Sequence, residues 1–218
     1  MTHLLAPLLR SLASFPDELP TFAVDTAPEN PVDLFVDWLG GAVEAGAQAP
    51  HAMTLSTSGQ DGVVSARTLI LKDIDEHGWI FASRDDGQKA RDLGANPFAA
   101  LTFFWPTVGR QVRVTGPVRK RPRADGEADF LARPEGSRAA AFAGHQSEPL
   151  ESLDRYRAAY ADATARLAEN PALVARTWNT WALAADRIEF WQASADRAHV
   201  RLEYRRQGHD WHRGLLWP

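Results

Sequence analysis

The chain has 218 residues, is 44% hydrophobic and carries a formal net charge of −4. This composition supports a folded core, and the negative charge argues against nucleic acid as the main partner. The absence of cysteine excludes disulfides, thiol nucleophiles and cysteine-ligated metal clusters, and no apolar run approaches the ~20 residues of a membrane span. Since no stretch resembles a signal peptide, we expect a cytoplasmic protein that binds neither nucleic acid nor membranes.

The first half of the chain begins with a proline-rich segment. Four prolines fall within residues 1–30 and predict an irregular N-terminal arm. From Pro31 to Val43 apolar residues recur at helical spacing, and proline suits the first turn of a helix. Alternating apolar and polar residues between turn-forming residues predict strands over 53–57, 63–72 and 79–82. A short helix is predicted over 88–93.

The second half continues this mixture of short strands and helices. Strands are predicted over 99–105, 111–118, 187–192, 200–205 and 211–217, and helices over 125–132 and 153–168. Six to eight short strands with helices at the edges indicate a mainly β fold, a β-barrel with accessory helices. Because no repeat or linker interrupts the pattern, we expect a single domain over residues 31–218, after the arm.

The most informative stretch lies near the C-terminus. Arg197, His199 and Arg201 alternate along the chain, six residues after Trp191. On a strand such residues project from one face, where like charges repel unless an anion sits against them. A planar, phosphorylated ligand would meet a cationic row beside an aromatic ring. Taken alone, these residues equally fit a solvated edge strand with ordinary surface charge.

Two other segments carry charge in places that suit a phosphorylated ligand. Arg67 and Lys72 bound a strand-like hexapeptide; their parity differs, so they face opposite sides unless a bulge intervenes. Farther on, Ser83 precedes a loop that enters the helix with Lys89, and helix N-termini bind phosphate. Taken alone, the hexapeptide also fits an ordinary core strand with charged ends, and the residues of the loop also fit an ordinary surface.

Common catalytic motifs are missing from the sequence. There is no glycine-rich dinucleotide fingerprint after a strand, no Walker loop and no Gly-x-Ser-x-Gly elbow. His209 and His212 have a loose metal-like spacing, but on a strand they face opposite ways, so no metal site is predicted. Any catalysis therefore belongs to a bound organic cofactor.

Several motifs, in this order and spacing, resemble those of the pyridoxine/pyridoxamine 5′-phosphate oxidase family over roughly residues 31–218. They are Arg-Thr-Leu-Ile-Leu-Lys (67–72), Gln-Lys-Ala (88–90), Asn96-Pro97, Trp105 with the segment 110–116, Arg133-Pro134 with Ser137, Gln146-Ser147, and 188–192 through 197–201.

The resemblance implies an FMN-binding split β-barrel that works as a homodimer, with FMN sites at the subunit interface. It implies an FMN-dependent oxidase that converts pyridoxine or pyridoxamine 5′-phosphate to pyridoxal 5′-phosphate, using dioxygen and releasing hydrogen peroxide. The implied FMN-binding residues are Arg67, Thr68, Leu69, Ile70, Leu71, Lys72, Ala82, Ser83, Gln88, Lys89, Gln111, Gln146, Ser147, Trp191 and Arg201. The implied substrate-binding residues are Lys72, Asp129, Arg133 and Ser137 at the phosphate, with Arg197 and His199 over the pyridine ring as the catalytic pair.

Two of these positions depart from the family pattern. Asp129 stands where the family usually has a tyrosine, and Gln88 stands where an arginine is common. A carboxylate beside a substrate dianion is unfavourable unless Asp129 turns away or pairs with Arg133. Two alternatives follow: a related flavin oxidase of another aromatic substrate, as in phenazine biosynthesis, or a flavin-binding protein without turnover.

Overall fold

The computed structural model describes residues 5–144 and 146–218. Within these ranges it has six α-helices and nine β-strands. The helices are α1 (Leu5–Ser11), α2 (Pro31–Glu44), α3 (Gln88–Ala95), α4 (Arg123–Ala132), α5 (Glu135–Phe142) and α6 (Leu153–Glu169). The strands are β1 (Ala52–Ser58), β2 (Val64–Asp75), β3 (Gly78–Arg84), β4 (Phe98–Trp105), β5 (Arg110–Lys120), β6 (Trp178–Leu183), β7 (Arg187–Gln192), β8 (Val200–Gln207) and β9 (Asp210–Leu215).

The strands hydrogen-bond in the order β4-β1-β2-β3-β6-β5-β7-β8-β9. A further pairing of β4 with β5 closes the first six strands of this order into a ring. Closure removes the unpaired strand edges that an open sheet exposes. The predicted fold class, a mainly β split barrel with accessory helices, is confirmed.

The chain divides into two compact units, and β4 and β5 contribute residues to both. The first unit contains the described residues up to Met53, with Thr102–Val114 and Asp186–Pro218. Its core is aromatic, because Phe35 of α2 meets the Phe103 ring at 4.9 Å between centroids and Trp38 meets Phe190 at 5.2 Å. The α2 helix begins at Pro31, as the sequence predicts.

The second unit contains Thr54–Leu101 and Thr115–Ala185. Its β3 and β6 strands pair antiparallel from Trp79 opposite Leu183 to Arg84 opposite Trp178, and most of their residues are buried. The α4 helix packs tightly on β6 at Gly126, where an added Cβ would lie 3.0 Å from a backbone atom of the strand. Because Gly126 has no side chain, α4 can approach the sheet this closely.

A β-bulge interrupts the pairing of β2 with β3. Leu71 lies opposite Phe81, and Asp73 lies opposite the adjacent residue Ile80, so Lys72 is the extra residue. A bulge changes the alternation of side chains along a strand. A bulge therefore lies at Lys72, at the end of the segment in which the sequence left this possibility open.

The predicted elements agree with the structure to within a few residues, with three exceptions. The structure adds α5 and β6, which were not predicted, and the helix α1 lies in the arm. The described part of the arm therefore contains one helix, where the sequence predicted irregular structure. The single-domain organisation over 31–218 stays a prediction. None of the helices in the described ranges has the length and apolar character needed to cross a membrane.

Candidate active site

A large cavity of about 1280 Å³ opens in the second unit. It lies against β3, α5, the segment after α5 and α6. Six of the predicted site residues line it, namely Leu69, Ala82, Ser83, Lys89, Arg133 and Gln146. A cavity of this size with a few convergent polar groups is typical of a ligand or cofactor site.

Lys89 is the buried cation of this cavity. Its side chain is only 6% exposed, and its amine donates to Oε1 of Gln146 at 2.7 Å. Burial is the main cause that lowers the pKa of Lys89 to about 8; Arg67 and Arg84 act in the same direction, and Asp86 opposes them. A buried ammonium whose acceptor is a neutral amide is a favourable place for an anionic group such as a phosphate.

Arg67 is held rigidly by the strands around it. Its guanidinium donates to the carbonyl of Leu55, to Oγ1 of Thr57 at 2.8 Å and to Oγ of Ser65 at 2.6 Å. Both hydroxyls in turn donate to Asp92, at 2.7 and 2.8 Å. Burial lowers the pKa of Arg67, and Asp92 opposes that effect. The network fixes the charge in position before any ligand binds.

Gln88 is engaged within its own helix. Its amide nitrogen donates to Oδ1 of Asp92 at 2.7 Å, and its amide oxygen accepts from Arg91 at 3.0 Å. The preceding Gly87 approaches Gln146 closely, because an added Cβ would lie 2.8 Å from Oε1 of that side chain. Gln88 is therefore a neutral partner in the α3 network.

Arg84 is a residue that sequence reasoning did not assign to the site. Its Nη1 donates to the carbonyls of Ala141 at 2.6 Å and Gly144 at 2.7 Å, and Nη2 pairs with Asp86 at 2.5 Å. These bonds satisfy carbonyl groups at the C-terminal end of α5. Arg84 thereby anchors the segment that leads to Gln146. In the sequence, only the position of Arg84 next to Ser83 pointed to a place in the site.

A second polar cluster joins β2, α4 and β6. Lys72 pairs with Oδ1 of Asp129 at 3.0 Å, and Oδ2 of Asp129 accepts from the indole nitrogen of Trp178 at 2.8 Å. Asp129 therefore joins Lys72 of β2 to Trp178 of β6, and its charge also acts on Arg133, where it opposes the lowering of the pKa by burial.

Arg133 lies against the same cluster. Its guanidinium stacks 3.8 Å above the Trp178 ring, and burial lowers its pKa while Asp129 opposes that effect. Its Nη1 is buried and has no hydrogen-bond partner among the described residues. An unsatisfied buried donor is costly, and an anionic ligand would satisfy it. Ser137 is half-buried in the first turn of α5, one turn after Arg133.

The remaining predicted residues of this unit have varied surroundings. Ala82 and Ser83 are buried on β3, whereas Thr68 and Ile70 of β2 are exposed and Leu71 is half-buried. Ser147 is exposed and has a φ of +71°, a left-handed conformation that is uncommon outside glycine.

In the first unit, Trp191 and Arg201 lie directly opposite each other in the β7–β8 pairing. Arg201 donates to both carboxylate oxygens of Glu189, at 3.0 and 3.1 Å, and to the carbonyl of Trp217 at 2.7 Å. Glu189 also pairs with Arg113. Burial opposes ionisation of Glu189, but the two arginines outweigh it and lower its pKa. Arg201 is thus a preorganised cation with a fixed orientation.

Arg197 and His199 precede β8 and lie in the turn after β7. Arg197 is exposed with a φ of +66°, and the His199 ring contacts Trp191 at 4.9 Å between centroids. Nδ1 of His199 accepts from the backbone of Ser194 at 3.0 Å. The predicted cationic row on one strand face is therefore wrong, since only Arg201 belongs to the strand. Gln111 is half-buried on β5.

The closed ring of six strands defines a split-barrel protein, and the second unit holds a cavity lined by cations that include Lys89 and Arg133. Residues 39–167 match the sequence model of the pyridoxamine 5′-phosphate oxidase family. Residues 178–218 match that of the pyridoxine 5′-phosphate oxidase C-terminal dimerisation region. The chain belongs to the pyridoxamine 5′-phosphate oxidase family.

Relatives and solved structures agree with this membership. A pyridoxine/pyridoxamine 5′-phosphate oxidase from Thermosynechococcus vestitus is 42% identical over 194 residues, covering 88% of this chain and 90% of the relative. One from Rubrobacter xylanophilus is 39% identical and covers 90% of each chain. The crystal structure of PhzG from Burkholderia lata 383 in complex with tetrahydrophenazine-1-carboxylic acid is 28% identical, with a TM-score of 0.85, and covers 94% of this chain and 100% of that one.

Proposed function

We propose that this protein is an FMN-dependent oxidase that converts pyridoxine or pyridoxamine 5′-phosphate to pyridoxal 5′-phosphate. The observation that carries the proposal is the 39–42% identity to curated oxidases of that name over 88–90% of the chain. The phenazine alternative has weaker support, because PhzG is 28% identical.

The residues of the second unit suit an FMN phosphate. The buried amine of Lys89 and the fixed guanidinium of Arg67 would supply its positive charge, and Ser83 and Gln146 would supply neutral hydrogen bonds. The lowered pKa of Lys89 fits this role, because a dianion restores the stability of the protonated amine. A bound FMN would supply the hydride acceptor for the substrate and the electron donor for dioxygen.

The substrate phosphate has a matching cluster in Lys72, Arg133 and Ser137. The unsatisfied Nη1 of Arg133 supports this assignment, since it is a buried donor without an acceptor among the described residues. Arg197 and His199 would cover the pyridine ring, and the contact of His199 with Trp191 supports a ring-binding surface in the first unit. Arg201, held by Glu189, would take its place beside the flavin.

The overall reaction balances without a further reagent. Pyridoxine phosphate and dioxygen give pyridoxal phosphate and hydrogen peroxide; pyridoxamine phosphate also consumes water and releases ammonia. The match of residues 178–218 to a dimerisation region supports a homodimer. We propose that the FMN sites lie at its subunit interface and that the enzyme works in the cytoplasm.

Steady-state turnover tests this proposal. The purified, FMN-loaded protein is incubated with pyridoxamine phosphate in air, and pyridoxal phosphate and peroxide are measured together. Equimolar formation of both products is expected. Turnover of dihydro-aromatic compounds but not of either pyridine phosphate would instead favour the phenazine-type alternative. A yellow protein that oxidises none of them would be a flavin-binding protein without turnover.

A further inference from the structure

We propose that Asp129 is a built-in counter-ion of Lys72 that weakens the selectivity of this enzyme for phosphorylated over unphosphorylated substrates. The inference rests on the proposed function. It concerns the charge of the substrate site, which the pair formed by these two residues changes.

The geometry holds Asp129 in place. One carboxylate oxygen lies 3.0 Å from the amine of Lys72, and the other accepts the indole proton of Trp178 at 2.8 Å. The same indole ring stacks on Arg133, 3.8 Å from its guanidinium carbon. Both carboxylate oxygens therefore have a partner, one on β2 and one on β6.

The electrostatic consequence follows from the partial burial of the pair. The side chains of Lys72 and Asp129 are 27% and 15% exposed, so water screens their interaction only in part. A substrate dianion at Lys72 must share this amine with a carboxylate that repels it. Arg133 is the other cation of the cluster, and its buried Nη1 has no hydrogen-bond partner among the described residues.

A purely structural role for Asp129 makes a different prediction. In that case the contacts to Lys72 and Trp178 only join α4 to β2 and β6. Removal of the charge would then lower the activity toward every substrate by the same factor. A counter-ion role changes the ratio between charged and uncharged substrates, which a structural role does not affect.

The test compares Asp129→Asn with the wild type and with Asp125→Asn, all loaded with FMN. Asp125 lies on the same helix and pairs with Arg121 at 2.7 Å, outside the Lys72 cluster. The value of kcat/KM is measured for pyridoxamine phosphate and for unphosphorylated pyridoxamine. Asp129→Asn should raise the ratio of the two values by about tenfold, as expected for the loss of one partly buried like charge. Asp125→Asn should leave the ratio unchanged.

Inorganic phosphate provides a second readout that needs no turnover. Its dissociation constant, measured by calorimetry, should decrease by the same factor in Asp129→Asn. An unchanged ratio and an unchanged phosphate affinity would overturn the inference. A wild type without any turnover would overturn the proposed function instead, and the phosphate titration would still decide the role of Asp129.

If Asp129→Asn does not fold, Lys72→Gln carries the test. This variant leaves Asp129 without its cation, so the net charge of the pair changes from zero to −1 and the preference for the phosphorylated substrate should fall by about tenfold. An unchanged preference would show that the pair does not act on the charge of the substrate, and it would overturn the proposal.

Discussion

Replacement of Lys89 by methionine should stabilise the flavin-free protein and at the same time abolish tight flavin binding. Lys89 is only 6% exposed, and burial with the nearby Arg67 and Arg84 lowers the pKa of its amine from 10.5 to about 8. Methionine has a similar length and no charge, so it removes the cost of burying an ammonium group. Function and stability are thus opposed at this position.

The size of the effect follows from the difference between the two pKa values. At about 1.36 kcal/mol per pH unit, the change from 10.5 to about 8 corresponds to roughly 3 kcal/mol at neutral pH. Loss of the hydrogen bond to Gln146 offsets about 1 kcal/mol of this gain. We therefore expect Lys89→Met to raise the free energy of unfolding by about 2 kcal/mol at pH 7.

The gain should depend on pH in a defined direction. Between about pH 8 and pH 10.5 the lysine is protonated in the unfolded chain but increasingly neutral in the folded protein. The unfolded state then binds more protons, so the stability of the wild type rises with pH through this window. The advantage of Lys89→Met should shrink over the same window.

Urea unfolding of flavin-free protein at neutral pH and near pH 10 measures this change. Lys120→Met is the control, because it removes an exposed lysine that pairs with Asp85 at 2.5 Å. A flavin titration should show at least about a hundredfold weaker FMN binding in Lys89→Met alone. A variant that is less stable than the wild type at pH 7, or whose advantage is constant with pH, would refute the reasoning.

Two further substitutions test the supports of the site. Glu189→Gln should lower the free energy of unfolding by about 2 kcal/mol at pH 7, because it leaves Arg201 without its carboxylate. Because the pKa of Glu189 is lowered in the folded protein, this contribution to stability is present above about pH 4.3 and is lost as the pH falls. The urea unfolding curves of the variant and the wild type should therefore converge in acid. A difference in stability that does not depend on pH would contradict this prediction. Gly87→Ala should weaken FMN binding severalfold in a fluorescence titration, because the added Cβ would displace Gln146. Gly94→Ala is the control and should not weaken binding, since nothing lies within 4 Å of its Cβ. Equal effects of the two substitutions would argue against a role of Gly87 in leaving space for Gln146.

Much of the fold could be predicted from the sequence because its elements have clear periodicity. The α2 helix has apolar residues at helical spacing after a proline, and it begins at Pro31 as expected. The β6 strand was missed because nearly all of its residues are buried, so alternation is absent. The turn at Arg197 was missed because its φ of +66° is set by the loop and not by the residue type.

The residue types of the candidate site could be proposed from the sequence, but their pairings could not. The parity of Arg67 and Lys72 raised the question of a bulge, but only the register of β2 with β3 locates it at Lys72. Lys72, at this bulge, pairs with Asp129 of α4. Such a pairing depends on three separate elements, and no local pattern in the sequence encodes it.

The half-reaction without oxygen tests the central claim most directly. The FMN-loaded protein is mixed anaerobically with pyridoxamine phosphate while the visible flavin absorbance is recorded. An FMN-dependent oxidase of this substrate predicts that the flavin colour bleaches, that pyridoxal phosphate forms in an amount equal to the flavin, and that admission of air restores the colour with release of peroxide. A flavin absorbance that stays unchanged with both pyridine phosphates would contradict the proposed function.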